Sequence, residues 1–306
     1  MVFYRNSRCN NCYYRASCLC KKIMMNKTNE RKGSSEKESL SLRFLYHTAI
    51  GRLLLKGIFS RIWFTKIGSL WQHSRLSRLT IRNFAKKNNI DVSEWSLDDF
   101  RCFNDFFIRK KDFIDKSEQD ELISVADSRL SAYKIEKGLK LNIKNSHYSV
   151  ESLIGNDEIA EQFYGGWCLV FRLCVDDYHR YSYVDSGKIT DSYEIKGLLH
   201  TVRPIACDFN PYSTNHRIVS LLNTDNFGKV AQIEVGALMV GKIRNNHEVG
   251  YEFKKGEEKG YFEFGGSTVI LLLSGNIEID KNIVESTKND IETRIRLGNV
   301  IGKKKM

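Results

Sequence analysis

Proline is nearly absent from this chain: 306 residues hold two, Pro204 and Pro211. Both fall in a stretch that reads as loop before Asn215, and neither a linker nor an internal repeat forces a third domain. Long apolar runs are missing too. Each is broken by a charge well short of the roughly 20 residues that a transmembrane helix needs, and the N-terminus lacks the apolar stretch of a signal peptide. Acid is missing locally: residues 41–90 hold 10 Lys and Arg and no Asp or Glu. Residues 1–40 hold 9 basic and 3 acidic residues, so the first ninety positions carry +16 and the remainder −5 of the formal +11.

So one-sided a charge points to an anionic partner, a membrane surface or a nucleic acid. The interleaved residues favour lipid, and no recognised nucleic-acid motif is present. Leu53, Leu54, Leu55, Ile58, Phe59, Ile62, Trp63, Phe64, Ile67, Leu70 and Trp71 recur at roughly helical spacing between Arg52, Lys56, Arg61, Lys66 and Arg75. Helices lying in a membrane interface have that pattern; so do amphipathic helices packed on a core with a solvated basic face. Of eight cysteines, Cys9, Cys12, Cys18 and Cys20 crowd the start at a spacing open to a soft metal. No second Cys or His pair follows at zinc-finger distance, so reduced thiols and no metal are expected there. Cys102, Cys168, Cys174 and Cys207 sit in core-like segments, and no structural disulfide is expected.

The pattern predicts an α+β protein, a mainly β core behind an N-terminal amphipathic helical region. Residues 1–40 read as a basic flexible tail, 41–115 as the helical membrane-associating region and 116–306 as the β-rich catalytic core. Within 41–115 the periodicity is helical from Leu42 to about Asn89, with one or two more helices over Asp91 to Phe107. Strands are expected at Tyr133–Ile135, Trp167–Leu173, Arg217–Leu222, Lys229–Val235 and Thr268–Leu273.

Just before the last of these, the chain reads Phe264-Gly265-Gly266-Ser267-Thr268. Paired glycines give a turn free to adopt dihedrals closed to other residues, and they leave the Gly266 carbonyl open to attack by Ser267 Oγ. The same four residues also make an ordinary hairpin turn. A self-cutting bond needs a base for the hydroxyl proton and a carboxylate to orient that base. Among seven histidines, His179 follows Asp176-Asp177-Tyr178 directly after an apolar strand, where sites are commonly built.

Phe264-Gly265-Gly266-Ser267-Thr268-Val269 resembles the maturation site of phosphatidylserine decarboxylases, as do Asp177-Tyr178-His179-Arg180 and the stretch Ile233 to Ile243. The three lie in the family's order, and weaker similarity reaches back to about Leu42. The resemblance implies that Ser267, His179 and an Asp matched by Asp127 form the charge relay for cleavage of Gly266–Ser267, with Asp177 a second carboxylate near the base. It implies a large and a small subunit from one precursor, and a covalent pyruvoyl cofactor made from Ser267. That group forms a Schiff base with the substrate amine and accepts electrons as carbon dioxide leaves. Phosphatidylserine is the implied substrate and phosphatidylethanolamine the product, on the cytoplasmic side of the cell membrane, with a homo-oligomer left open.

Two departures stand out. The family's second histidine, three residues after the first, is Ser182 here. Proton delivery would then fall to His179, Tyr181, Tyr183 or water, the tyrosines helped by a pKa lowered by Arg180. Val125 and Ser128 replace the family's Pro and Gly around Asp127. Three alternatives remain: a pyruvoyl-dependent decarboxylase of another amino-acid substrate, a catalytically impaired membrane-binding paralogue, and a nucleic-acid-binding module.

Overall fold

The computed structural model describes residues 40–305 apart from 61–67, 112–114, 138–140, 144–145, 239–241 and 266. The expected basic tail with its four cysteines, the 61–67 part of the basic helical block and Gly266 lie outside the described residues.

Strand β13 (Ser267–Leu273) has no solvated face to offer: Ser-Thr-Val-Ile-Leu-Leu-Leu is buried at every position. Such a strand needs partners on both edges and cover on both faces. β5 (Trp167–Leu173) pairs with all seven of its residues and β9 (Gly228–Val235) with six, both antiparallel. The sheet continues from β9 through β8 (Arg217–Thr224), β7 (Gly187–Ile195) and β11 (Glu252–Phe253). From β5 it continues through β2 (Ser128–Lys134) and β15 (Thr293–Ile295), making eight strands.

Three smaller sheets complete the β structure: β1 (Glu121–Ile123), β16 (Val300–Lys304) and β14 (Ile277–Ile279); β10 (Ile243–Asn245), β12 (Glu258–Phe262) and β6 (Arg180–Ser182); and the pair β3 (Leu141–Ile143) and β4 (Ser146–Tyr148). A buried ion pair ties β12 to β9. Lys259 Nζ lies 2.9 Å from Glu234 Oε1, both side chains being fully buried, and Asn245 Nδ2 donates to the other carboxylate oxygen at 3.2 Å. Burial pushes the glutamate up and the lysine down, and their attraction opposes both shifts. Removing either partner would leave an uncompensated charge, at a cost of about 3–5 kcal/mol.

The helical region comprises α1 (Leu40–His47), α2 (Ala49–Leu54), a π turn at Leu55–Phe59, a 3-10 turn at Arg75–Thr80, α3 (Ile81–Lys87) and α4 (Phe103–Phe107). Thr48 caps α2, its Oγ1 accepting from the Gly51 N–H at 2.9 Å. Two clusters attach this region to the core. Tyr46 and Leu55 pack with Ala206, and the Thr201 N–H donates to the Tyr46 hydroxyl at 2.9 Å. Ile81, Ala85, Phe103, Phe106 and Phe107 pack with Phe264.

The expected strands all lie within or overlap β2, β5, β8, β9 and β13. Two local readings need correction. Helix over Asp91 to Phe107 is confined to α4, because Asp91 Oδ1 accepts from the Ser93 N–H at 3.0 Å and closes a side-chain turn instead of capping a helix. The proline stretch read as loop holds a 3-10 turn, Pro204–Phe209, and the short helix Pro211–Thr214, which takes Pro211 in its first turn, where a missing N–H costs nothing. Cys102, Cys168 and Cys174 are buried.

Candidate active site

Ser267 opens β13 opposite Leu173. Its Oγ and the Thr268 Oγ1 are buried without a hydrogen-bond partner among the described residues. A buried unpaired hydroxyl forfeits about 1–3 kcal/mol, the sort of exception that marks a reactive position. Gly265, two residues earlier, has φ +142°, a backbone state that a side chain would strain.

His179 reaches this place from the turn between β5 and β6. The turn is closed by the Asp177 N–H donating to the Cys174 carbonyl at 3.0 Å and the Cys174 N–H donating to Asp177 Oδ2 at 2.7 Å. His179 Nδ1 lies 2.9 Å from the Asp177 carbonyl oxygen. A carbonyl can only accept, so Nδ1 carries the hydrogen, and the lone pair of the neutral ring sits on Nε2. That nitrogen is buried with no hydrogen-bond partner among the described residues. Phe107 covers the ring, with centroids 4.1 Å apart.

Burial pushes the imidazole down to about 3, against the Asp177 and Gly265 carbonyls, which favour its protonated form; the Arg109 charge pushes it down further. Near neutral pH the ring is an uncharged acceptor whose surroundings include the backbone just before the Gly266–Ser267 bond.

Of the two carboxylates, Asp177 stands next to the base through its backbone. Its own carboxyl is pushed up to about 6, chiefly by burial. The Asp127 carboxylate is engaged elsewhere, accepting from the Leu297 N–H and from Arg296 Nη1, both at 2.8 Å. The ring is therefore oriented by a main-chain carbonyl, and Asp127 lies beside Asp177 as a neighbouring charge. Ser182 is buried, its Oγ without a hydrogen-bond partner among the described residues.

The expectation that Arg180 lowers the neighbouring tyrosines does not hold. Burial drives Tyr181 and Tyr183 well above the usual range. Arg180 pairs with Glu258 at 2.7 Å and donates to the Ile108 carbonyl at 2.8 Å. The Tyr181 hydroxyl is itself bonded to Asn245 Oδ1 at 2.9 Å, and that of Tyr183 to His247 Nδ1 at 3.2 Å.

Two clefts flank Tyr178. One, of about 640 Å³, is lined by Arg180, Tyr181, Ser182 and His247 among others. The second, of about 430 Å³, is lined by Arg109, Lys111, Asp127, Asp176, Arg294 and Arg296 among others. Cys174, Asp176 and Asp177 bring possible metal-ligand atoms within 4.8 Å of one another. Arg129 and Arg172 already donate to the sulfur, and Arg294 lies 3.6 and 3.9 Å from the Asp176 and Asp177 carboxylates.

Sequence reasoning missed Phe107 and Arg109 as neighbours of the site. The stretch Leu97 to Phe107 signalled only a helix.

Comparison with known proteins gives the family. Residues 103–303 match the family model described as phosphatidylserine decarboxylase. A phosphatidylserine decarboxylase proenzyme 2 from Clostridium acetobutylicum is 47% identical over 268 residues, spanning 85% of this chain and 91% of that protein. Phosphatidylserine decarboxylase proenzymes from Clostridium perfringens and Ruminiclostridium cellulolyticum are 41% and 40% identical, covering 86% and 85% of this chain and 92% and 90% of theirs. With its family match running from α4 to β16, the chain belongs to the phosphatidylserine decarboxylase family.

Proposed function

We propose that this chain is a proenzyme that cuts its own Gly266–Ser267 bond and then converts phosphatidylserine to phosphatidylethanolamine and carbon dioxide. The observation that carries the reading is a pair of buried atoms with no hydrogen-bond partner among the described residues, Ser267 Oγ and His179 Nε2, the His179 ring lying beside the Gly265 backbone. The residues fit a group made in place: the orphaned hydroxyl stands on what becomes the first residue of the small subunit.

In maturation Ser267 Oγ gives its proton to His179 Nε2 and attacks the Gly266 carbonyl, so that an ester replaces the amide. Removal of the Ser267 Cα proton expels Gly266 as a carboxylate. Water then replaces the amine, which leaves as ammonia. The resulting pyruvoyl group would supply a carbonyl for a primary amine and a sink for the electron pair released with carbon dioxide. With the Tyr181 and Tyr183 hydroxyls committed to Asn245 and His247, we assign to His179 the relay of a proton back to the carbon that loses carbon dioxide. Asp177 fixes the ring through its carbonyl, and Asp127 supplies charge beside Asp177.

The lipid substrate accords with the surface of the helical region. Leu40, Ile50, Leu53, Leu70, Leu76 and Leu79 are each at least two-thirds exposed, between the exposed Arg43, Arg52, Arg75 and Arg78. No described helix is long and apolar enough to cross a membrane. We place the protein peripherally on the cytoplasmic face of the cell membrane, its helical region against anionic lipid.

The test is replacement of Ser267 by Ala, which removes the nucleophile. A single chain of 35.5 kDa is expected on a denaturing gel, and His179→Ala should leave the same uncut band. Two fragments from Ser267→Ala would end the reading.

A further inference from the structure

We propose that Arg109 is the receptor for the phosphodiester of the substrate headgroup, an assignment that rests on the decarboxylase reading above. Arg109 is 5% exposed, and its side chain is stacked against Trp95 and Phe106, the guanidinium carbon 5.3 and 5.1 Å from the two ring centroids. Its Nε is buried without a partner among the described residues, and Nη1 makes one long bond, 3.4 Å, to the Phe106 carbonyl.

The other cations of the 430 Å³ cleft are answered. Arg296 is paired with Asp127 at 2.8 Å, Arg294 with Asp176 at 3.6 Å and Lys111 with Glu94 at 3.4 Å. Arg109 has no carboxylate within ion-pair distance among the described residues. A desolvated guanidinium without a counter-charge is costly, and an arriving anion would meet a donor already stripped of water. The position suits a headgroup, because Arg109 follows Phe107, which covers His179, and its charge acts on the His179 ring.

The headgroup of phosphatidylserine carries two anions, a carboxylate and a phosphodiester, and the chemistry separates them. An ion pair with the carboxylate is lost as carbon dioxide departs, so it would stabilise the ground state over the transition state and slow the reaction. The phosphodiester keeps its charge in substrate, transition state and product. A buried arginine on that group anchors the lipid without opposing the bond cleavage.

The experiment compares processed full-length protein with Arg109→Gln and Arg109→Lys, each first checked on a gel for conversion to two chains. If even the unaltered protein stays as one chain, the decarboxylase reading fails before the assignment is reached. With phosphatidylserine in mixed micelles, Arg109→Gln should raise KM by about 10–100-fold and change kcat by less than about threefold, the mark of binding shared by ground and transition states. Arg109→Lys should recover part of the loss.

Competition identifies the anion. Glycerophosphoethanolamine, which has the phosphodiester and no carboxylate, should inhibit Arg109→Gln at least about tenfold more weakly than the natural protein, while inhibition by L-serine stays the same. Loss of inhibition by L-serine alone would move Arg109 to the carboxylate, and no change in either would leave it a brace for Trp95 and Phe106; both overturn the proposal. Should Arg109→Gln fail to fold, the unaltered protein still decides: glycerophosphoethanolamine should inhibit at least about tenfold better than ethanolamine, and equal inhibition contradicts a phosphodiester receptor.

Discussion

Asp177 holds its proton about two pH units more tightly in the folded chain, at about 6, than a carboxyl does in water. Its contribution to stability is therefore full below about pH 4 and is lost as pH rises through about 6. His179 runs the other way: an imidazole pushed down to about 3 favours the folded state above about pH 6.5 and weakens it as the solution is acidified. Replacing Asp177 by Asn keeps an oxygen for the Cys174 N–H and removes the titration. In the uncut Ser267→Ala background it should add about 1–3 kcal/mol at pH 7 and nothing at pH 4, read from urea midpoints. An equal effect at both pH values would mean that Asp177 titrates normally. At this scale the sequence exposed the candidate side chains and hid their support. Ser267, His179 and Asp127 could be picked out by type and motif, but the acceptor that orients His179 is a main-chain carbonyl, and every residue has one.

At the scale of elements, the turn before β13 is held from outside the sheet. Phe264 packs edge-on against Phe103 and Phe107, both with centroids 5.0 Å away, and against Phe84 at 6.1 Å. Helices α3 and α4 thus grip the residue three places ahead of Ser267, and Phe107 also lies on the His179 ring. Phe264→Ala should slow processing at least about tenfold by loosening the attack geometry, while Phe264→Leu, which keeps apolar bulk, should restore most of it. Processing at the normal rate in Phe264→Ala, followed by gel time course, would show that the cage is passive. The strands were legible because β13, β5 and β9 are short, apolar and bounded by turn residues. The 91–102 segment was not, because Asp91 serves a helix cap and a side-chain turn equally well in sequence and the choice depends on how α4 packs.

The whole molecule combines a buried candidate site with an exposed apolar and basic surface. Leu53, Leu76 and Leu79 are 72–79% exposed and contribute little to the core. Replacing all three by Ser should leave folding and processing intact and weaken binding to anionic vesicles at least about tenfold, in a sedimentation assay at fixed salt. Unchanged binding would place the lipid contact elsewhere. Cutting the chain at 266 leaves a 40-residue small subunit whose first strand pairs with β5 and β9 of the large one, so the two pieces stay together until denatured. The decisive measurement is the intact mass of the purified protein after denaturation. The account predicts two chains, residues 1–266 and 267–306, the smaller lighter than its sequence mass by the serine-to-pyruvoyl change and refractory to N-terminal degradation; one chain at the full 35.5 kDa would contradict it.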